Sequence, residues 1–178
     1  MQKLIPLLAV LTLLSCSSDT NFDDSVLRKS WHLSSLQLSQ PVDLNLDGIA
    51  STDMLLEMPC MATESFWLSS VGNTFSFYMG DYVTYSNDGG ASWLTACVEN
   101  GGLNGYGTFR AINGETLELR YEHSFNAIGF EPYTKRFKIE ENKLVLEGMQ
   151  FYRATFDQNT QTWTTAEMFV RREYTSSF

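Results

Sequence analysis

The chain has 178 residues, a formal net charge of −9 and an aromatic content of 13%. This balance argues against nucleic acid as a partner, because phosphate backbones are bound by clustered Lys and Arg and the basic residues here are sparse. Residues 29–175 show no change of composition that would divide them, and they suffice for one sizeable core. We therefore expect one folded domain there.

The N-terminal residues have the composition of an export signal. A basic start, Met1 to Lys3, precedes an apolar run from Leu4 to Leu14 that is too short to span a bilayer stably. The ending Leu13-Leu14-Ser15-Cys16 resembles the lipobox of bacterial lipoproteins, which implies removal of residues 1–15 and lipidation of Cys16. The alternative is an ordinary secreted protein in which Cys16 is incidental.

The residues after Cys16 predict a flexible tether over residues 16–28, since they are polar, acidic and poor in core-forming side chains. Removal of residues 1–15 takes away Lys3 alone among the charged side chains, which changes the net charge from −9 to −10. Palmitate or similar acyl chains on Cys16 would hold the domain at a membrane, because two or more chains give stable attachment. We expect the bacterial cell envelope, with the outer membrane favoured.

Residues 43–53 resemble the start of an EF-hand or dockerin calcium loop. Oxygen-bearing side chains stand at alternate positions, and Gly48 permits a sharp turn. The predicted ligands are the side chains of Asp43, Asn45, Asp47 and Asp53 and the carbonyl of Ile49. The twelfth position is Met54, where a calcium loop carries an acidic residue. The alternative is that these side chains form Asx turns and cap the next helix.

One short helix is expected at Thr52–Glu57. Ser51 or Thr52 can accept hydrogen bonds from its first amide groups, and Pro59 discourages continuation. The helix would form a lid or plug after a first strand at 31–38.

Two cysteines remain once Cys16 is assigned to lipid. In an oxidising compartment the simplest expectation is a disulfide between Cys60 and Cys97, and the alternative is two free buried thiols. No Cys-x-x-Cys spacing indicates a redox or zinc role.

Residues 86–93 resemble the Asp-box of sialidases and other β-proteins, with Ser92 in the place of Thr. The resemblance implies a hairpin that pairs residues 82–86 with residues 93–97, with Asp88 at the bend. Sialidases carry several copies on a propeller, and this chain has one copy without a repeat at blade spacing, which argues against a glycosidase.

Two-residue alternation of polar and apolar side chains predicts an all-β fold. Strands are expected at 31–38, 74–79, 82–86, 107–112, 116–122, 136–140, 143–147, 149–156 and 163–173. Asn113-Gly114 predicts a primed two-residue turn, and Glu141-Asn142 a second turn. From periodicity alone, an up-and-down barrel and a sandwich both remain open.

Ser30-Trp31-His32-Leu33 and residues 107–119 resemble the first strand and closing hairpins of bacterial lipocalin-like lipoproteins. The resemblance implies an antiparallel up-and-down β-barrel of about 8–10 strands with one open end, in which relatives hold a small apolar ligand. It covers most of residues 29–173.

No arrangement of catalytic residues is found, so we expect no enzyme. His32 and His123, the only histidines, lack partners at metal or triad spacing and are expected on strand surfaces. A small hydrophobic ligand would contact inward residues, for which the candidates are Phe75, Phe77, Leu117, Leu119 and Tyr121. Their alternative role is a filled core, in which case the chain would be a structural lipoprotein or one that meets an envelope protein or a glycan.

Overall fold

The computed structural model describes residues 29–80, 82–86, 93–97, 103–125, 129–157, 159–160 and 162–177. The strands are β1 Ser30–Val42, β2 Ser51–Asp53, β3 Ser65–Ser69, β4 Thr74–Met79, β5 Tyr82–Ser86, β6 Trp93–Cys97, β7 Leu103–Ala111, β8 Thr116–Ser124, β9 Tyr133–Glu140, β10 Lys143–Asp157 and β11 Thr162–Ser177. A short helix, α1, spans Met54–Glu57, and a 3-10 helix follows at Pro59–Thr63.

Eight strands form a closed antiparallel barrel in the order β1-β3-β4-β7-β8-β9-β10-β11. Pairing of β11 with β1, from Ser30 opposite Ser177 to Leu38 opposite Val170, closes it. Each barrel strand lies beside the barrel strand that precedes it, so the topology is up-and-down. The expected all-β barrel is confirmed with eight strands, and the sandwich alternative is wrong.

Two further pairs lie outside this ring. Strand β2 pairs with the end of β1, while β5 and β6 form a separate hairpin between β4 and β7. In that hairpin Ser86 lies opposite Trp93 and Tyr82 opposite Cys97. The pairing expected from the Asp-box is therefore confirmed. Asp88, expected at the bend, lies outside the described residues.

Two glycines of β7 shape one part of the barrel interior. Gly105 and Gly107 are buried inward positions of the alternating strand. A Cβ atom on Gly105 would lie 2.9 Å from the ring of Phe77, and one on Gly107 would lie 2.7 Å from the ring of Phe75. The rings of Phe75 and Phe77 both pack on Tyr121, with centroids 5.1 and 4.9 Å away. The missing side chains thus make room for three aromatic rings.

A second aromatic group packs elsewhere in the same core. Phe66, Phe137 and Tyr174 contact one another with ring centroids 5.2 to 5.6 Å apart. They come from β3, β9 and β11, and all three are almost fully buried. Such tilted aromatic contacts add to the stability that burial itself provides, so they tie distant strands together around the barrel.

A turn and a strand boundary differ from the sequence-based expectations. The β7–β8 hairpin forms, but the amide of Ile112 donates to the carbonyl of Thr116, which leaves a three-residue turn in place of the two-residue turn. Positive φ angles at Asn113 and Gly114 fit that longer loop. The two strands expected at 143–147 and 149–156 are one continuous strand, β10, because its pairing with β11 continues through Gly148.

The expected helix at Thr52–Glu57 begins later than predicted. Residues 51–53 form β2 against β1, so α1 starts at Met54. Its cap is Asp53, whose Oδ1 accepts from the amide of Leu55 at 3.0 Å, in place of Ser51 or Thr52. Pairing with β1 outweighs the weak helical preference of so short a segment. Among the described residues, no helix has the length and apolar character needed to cross a membrane.

Candidate functional site

The five predicted ligand-contact residues all lie inside the barrel. Phe75, Phe77, Leu117, Leu119 and Tyr121 are each at most 4% exposed and belong to one core cluster. The alternation therefore identified the inward face correctly. Their close mutual packing suits the filled-core alternative as well as a binding site, so a role in ligand contact stays a prediction.

The aromatic group continues from this core towards the β8–β9 loop. The ring of Tyr121 stacks on that of Tyr133 with centroids 4.6 Å apart and an angle of 11°. Phe130, in the loop before β9, lies 5.7 Å from Tyr133 and 6.3 Å from Phe77. The hydroxyl of Tyr133 donates to Sδ of Met79 at 3.6 Å. Aromatic rings from three strands and one loop therefore form a continuous surface.

Lys135 is the charged side chain of this group. It lies opposite Leu119 on the inward side of β9, and its Nζ is 5.3 Å from the ring centroid of Tyr121 and 5.6 Å from that of Tyr133. Both distances are within cation–π range. Burial lowers the pKa of the Lys135 amine to about 8, an effect partly offset by the negative charge of Glu64.

Sequence reasoning missed Lys135, although a signal was present. Phe137 and Ile139 establish which positions of β9 face inward, and the same period of two assigns Lys135 and Tyr133 to that face. Charged residues in alternating strands usually lie on the outer sheet face, and that general expectation obscured the inward position of Lys135.

A second interior cation, Arg172, has a carboxylate partner. Its Nη1 lies 2.8 Å from Oε2 of Glu64, whose Oε1 accepts from the hydroxyl of Tyr174 at 2.7 Å. Nη2 also donates to Oε1 of Gln150 at 3.4 Å. Glu64 directly follows the 3-10 helix, so these contacts attach that segment to the closing strand β11. Burial, reinforced by the charge of Glu64, raises the pKa of Tyr174 well above its usual value.

The pairing between β9 and β10 is short. Only Lys138, Ile139 and Glu140 of β9 pair with β10, opposite Val145, Leu144 and Lys143. Residues 133–137 pair with β8 on one side and not with β10 on the other, while β10 continues along β11. We call this unpaired stretch, residues 133–137 facing β10, the β9–β10 seam. Lys135 lies at its centre.

The calcium-like loop is held by its own side chains. Oδ2 of Asp43 accepts from the amide of Gly48 at 3.0 Å, Oδ1 of Asn45 from that of Asp47 at 3.0 Å, and Oδ1 of Asp47 from that of Ile49 at 2.8 Å. The structure therefore brings the first three predicted ligands together in one loop. These are the Asx-type contacts of the alternative reading.

The loop fits a cation in part. Oδ1 of Asp43 is buried without a hydrogen-bond partner, which leaves one carboxylate oxygen available. Asp53 instead caps α1, and the buried carboxylate of Glu57 accepts from the amide of Leu44 at 2.9 Å. Among the described residues, no group of three His, Cys, Asp or Glu side chains is placed to hold a metal ion. Calcium binding stays a prediction.

The predicted disulfide and lipidation sites are only partly described. Cys60 is disulfide-bonded, but the side chain of Cys97 lies outside the described part of the chain, so their pairing stays a prediction. Cys16 also lies outside the described residues.

Both histidines lie on the outer face of the barrel. Nε2 of His32 is 3.0 Å from Oγ of Ser177, and the ring of His123 stacks on that of Tyr106 with centroids 5.3 Å apart and an angle of 8°. Phe125 is 69% exposed and lies 5.2 Å from His123. Tyr106, His123 and Phe125 form an exposed group that we call the outer aromatic patch.

The chain matches no protein-family model, no curated protein and no solved structure.

Proposed function

We propose that this protein is a lipid-anchored, non-catalytic barrel of the bacterial cell envelope that binds a small hydrophobic ligand. The supporting observation is the aromatic surface formed by Phe77, Tyr121, Phe130 and Tyr133 beside the β9–β10 seam. Ligand sites are mostly apolar, with few polar groups that orient the ligand. This surface has that composition, with Lys135 as its charged group.

Binding can be tested with decanol, a neutral chain that fits an apolar site. The full chain in lipid nanodiscs should take up more decanol than matched empty nanodiscs. Replacement Tyr133→Ala removes one wall of the site and should weaken the excess uptake about tenfold, given the contribution of an aromatic side chain. Phe125→Ala, which removes an exposed ring of the outer aromatic patch, is the control and should leave uptake unchanged. Equal decanol uptake by empty nanodiscs and by nanodiscs that contain the protein would contradict a binding role.

The membrane anchor is supported by the signal that ends at Cys16. Cells grown with labelled palmitate should incorporate the label into the protein, and Cys16→Ser should abolish incorporation. Separation of inner and outer membranes would then test the expected outer-membrane location. An unlabelled protein released into the medium would favour the secreted alternative.

A second candidate function is an interaction with an envelope protein or glycan through the outer barrel surface. The outer aromatic patch favours it, because stacked and exposed rings are enriched where proteins meet partners. A photoreactive amino acid at position 125 should form an adduct of defined mass in intact cells, while the same group at position 120 should not. Absence of an adduct at position 125 would count against this role.

We propose the Cys60–Cys97 disulfide on positional grounds. The carbonyl of Cys60 would lie 2.1 Å from a Cβ on Gly80, so the backbone at 60 adjoins the start of the β5–β6 hairpin. Cys97 lies opposite Tyr82 in that hairpin, and Tyr82 follows Gly80 by two residues. Peptide mapping without reduction should give a linked pair of peptides containing both cysteines. Alkylation of either thiol without reduction would contradict the pairing.

Calcium is the proposed ion for the loop at residues 43–49. Asp43, Asn45 and Asp47 would supply side-chain oxygens and Ile49 a carbonyl, while Asp53 would have to leave its cap to join them. Calorimetric titration of the full chain should show heat with calcium, and Asp43→Asn should reduce it. No heat at millimolar calcium would contradict the proposal.

A further inference from the structure

We propose that Lys135 binds the head group of an acidic amphiphile, a carboxylate on an apolar chain, whose tail lies on the aromatic surface. This inference rests on the proposed ligand-binding function and narrows the class of ligand. The proposed function needs Lys135 only as one of the side chains that line the site, whereas here its charge selects the ligand.

The first step is the charge balance within the barrel. Glu64 and Arg172 form an ion pair at 2.8 Å, and Glu64 also accepts from Tyr174. Across the part of the chain that the structure describes, no carboxylate lies within 4.0 Å of Nζ of Lys135. Arg172 thus has a carboxylate partner, whereas the charge of protonated Lys135 has none within that distance among the described residues. An anionic ligand would compensate that charge.

The second step is the hydrogen-bonding capacity of the amine. A protonated lysine has three donors, and a ring face satisfies a cation electrostatically without offering a lone pair. Nζ lies over the rings of Tyr121 and Tyr133 and donates no hydrogen bond to another described residue. A carboxylate oxygen provides the acceptor that this environment lacks, and a charge-assisted hydrogen bond is stronger than a neutral one.

A ligand can reach Lys135 from outside the barrel. Lys135 lies at the centre of the β9–β10 seam, where β9 has no strand partner on the β10 side. The side chain is partly exposed, whereas Tyr121 next to it is almost fully buried. A head group that enters at the seam reaches the amine first, and an attached chain can then lie along Tyr133 and Phe130. The site therefore suits a ligand with one charged end.

Lys135 should distinguish an anionic ligand from a neutral one. Removing an ammonium group from water is costly, and the hydroxyl of a neutral ligand offers only an uncharged acceptor in return, whereas a carboxylate offers a charge-assisted one. The lowered pKa of Lys135, about 8, reflects the same desolvation and leaves the amine mostly protonated at neutral pH. An anionic ligand therefore gains an ionic hydrogen bond at Lys135 that is stronger than the neutral one its alcohol analogue can accept.

The test compares the binding of decanoate and decanol, which differ in their polar end. Binding is measured on the full chain in lipid nanodiscs, and the uptake by empty nanodiscs is subtracted. Decanoate should bind at least tenfold more tightly than decanol. Lys135→Met should remove that preference while decanol binding stays within twofold, and Lys135→Arg should retain part of it. Lys138→Met, on the outer face of the same strand, is the matched control and should leave both affinities unchanged.

A pH series on the unmodified chain keeps the test decisive if Lys135→Met does not fold. Decanoate affinity should fall as pH rises through about 8, whereas decanol affinity should change much less. Among the described residues, the other ionisable groups that contact or act on Lys135 are Glu64, Arg172, Tyr121 and Tyr133; burial raises the pKa of both tyrosines. The tyrosines therefore stay protonated through this range.

The outcomes separate the inference from the proposed function. Equal binding of decanoate and decanol, unaffected by Lys135→Met, would overturn the role of Lys135 and leave hydrophobic-ligand binding intact. Binding of neither compound would overturn both. Decanoate preference that Lys138→Met abolishes and Lys135→Met does not would place the anion on the outer face and overturn the inference.

Discussion

Arg172 and Lys135 are two cations inside the same barrel, and their surroundings differ. Arg172 meets the carboxylate of Glu64 at 2.8 Å within a network that includes Tyr174. Lys135 meets the faces of two tyrosine rings at a place where the barrel wall is incompletely paired. A buried cation with its own carboxylate becomes costly to the fold when that carboxylate is removed, whereas a cation without a nearby carboxylate is suited to an incoming anion.

The largest expected effect comes from breaking the compensated pair. Glu64→Gln keeps the shape of the side chain but removes the negative charge beside Arg172, so we expect a loss of about 3–5 kcal/mol in the free energy of unfolding. Tyr174→Phe removes one hydrogen bond and keeps the ion pair, so its loss should be near 1 kcal/mol, in the usual range of about 0.5–1.5. Denaturant unfolding measures both. Equal losses would mean that the ion pair has no special structural role.

The next effect concerns Gly107, whose missing side chain leaves room for Phe75 beside Tyr121. A Cβ on Gly107 would lie 2.0 Å from the carbonyl oxygen of Arg120 and 2.7 Å from the ring of Phe75. Gly107→Ala should therefore destabilise the barrel by about 2–3 kcal/mol through overpacking. Gly148→Ala is the matched control, because a Cβ there meets no atom within 4 Å. A stable Gly107→Ala variant would show that the interior is looser than described.

Lys135→Met should stabilise the fold at pH 7 by about 1–2 kcal/mol, after discounting for partial exposure of the amine. The pKa of Lys135 is about 8 in the folded chain, below its ordinary value of 10.5. Between pH 8 and pH 10.5 the unfolded chain therefore keeps a proton that the folded chain has lost. The unmodified protein should therefore gain stability as pH rises from 7 to 9.5, and the advantage of the variant should shrink. Thermal unfolding across that range measures the difference. A pH-independent advantage would contradict the assigned titration.

The smallest effect is expected on the outer face of the same strand. Lys138 and Glu147 form an ion pair at 3.2 Å, and the lysine side chain is 64% exposed. Lys138→Met should change the free energy of unfolding by less than about 0.5 kcal/mol, as is usual for exposed pairs. Salt should alter that change further, because exposed charges are screened. A loss as large as that of Glu64→Gln would invalidate the contrast between inner and outer faces.

Sequence periodicity predicted much of the fold because a barrel strand has one buried and one solvated face. Leu117, Leu119 and Tyr121 alternate with polar residues, and this pattern gave both the strand β8 and its inward side. The turn at Asn113 was less predictable, since two-residue and three-residue turns use similar residues. The start of α1 was missed because long-range pairing of residues 51–53 with β1 overrides local preference.

The candidate site was only partly predictable. The apolar lining came from the same alternation, but the pairing of Glu64 with Arg172 joins positions 108 residues apart and has no local signal. The short β9–β10 pairing likewise depends on how two strands diverge in space. Lys135 could have been assigned inward from Phe137 alone, but its isolation from carboxylates required the folded arrangement.

A titration of Lys135 by NMR, with the lysine Cε carbons labelled, tests the central contrast most directly. Lys135→Met assigns the resonance, and Lys138 provides an exposed reference on the same strand. The account predicts that the Lys135 signal titrates near pH 8 in the free protein and at higher pH with decanoate bound, while adding decanoate at neutral pH leaves the chemical shift of Lys138 unchanged. A Lys135 signal that titrates with the exposed lysines and ignores decanoate would contradict it.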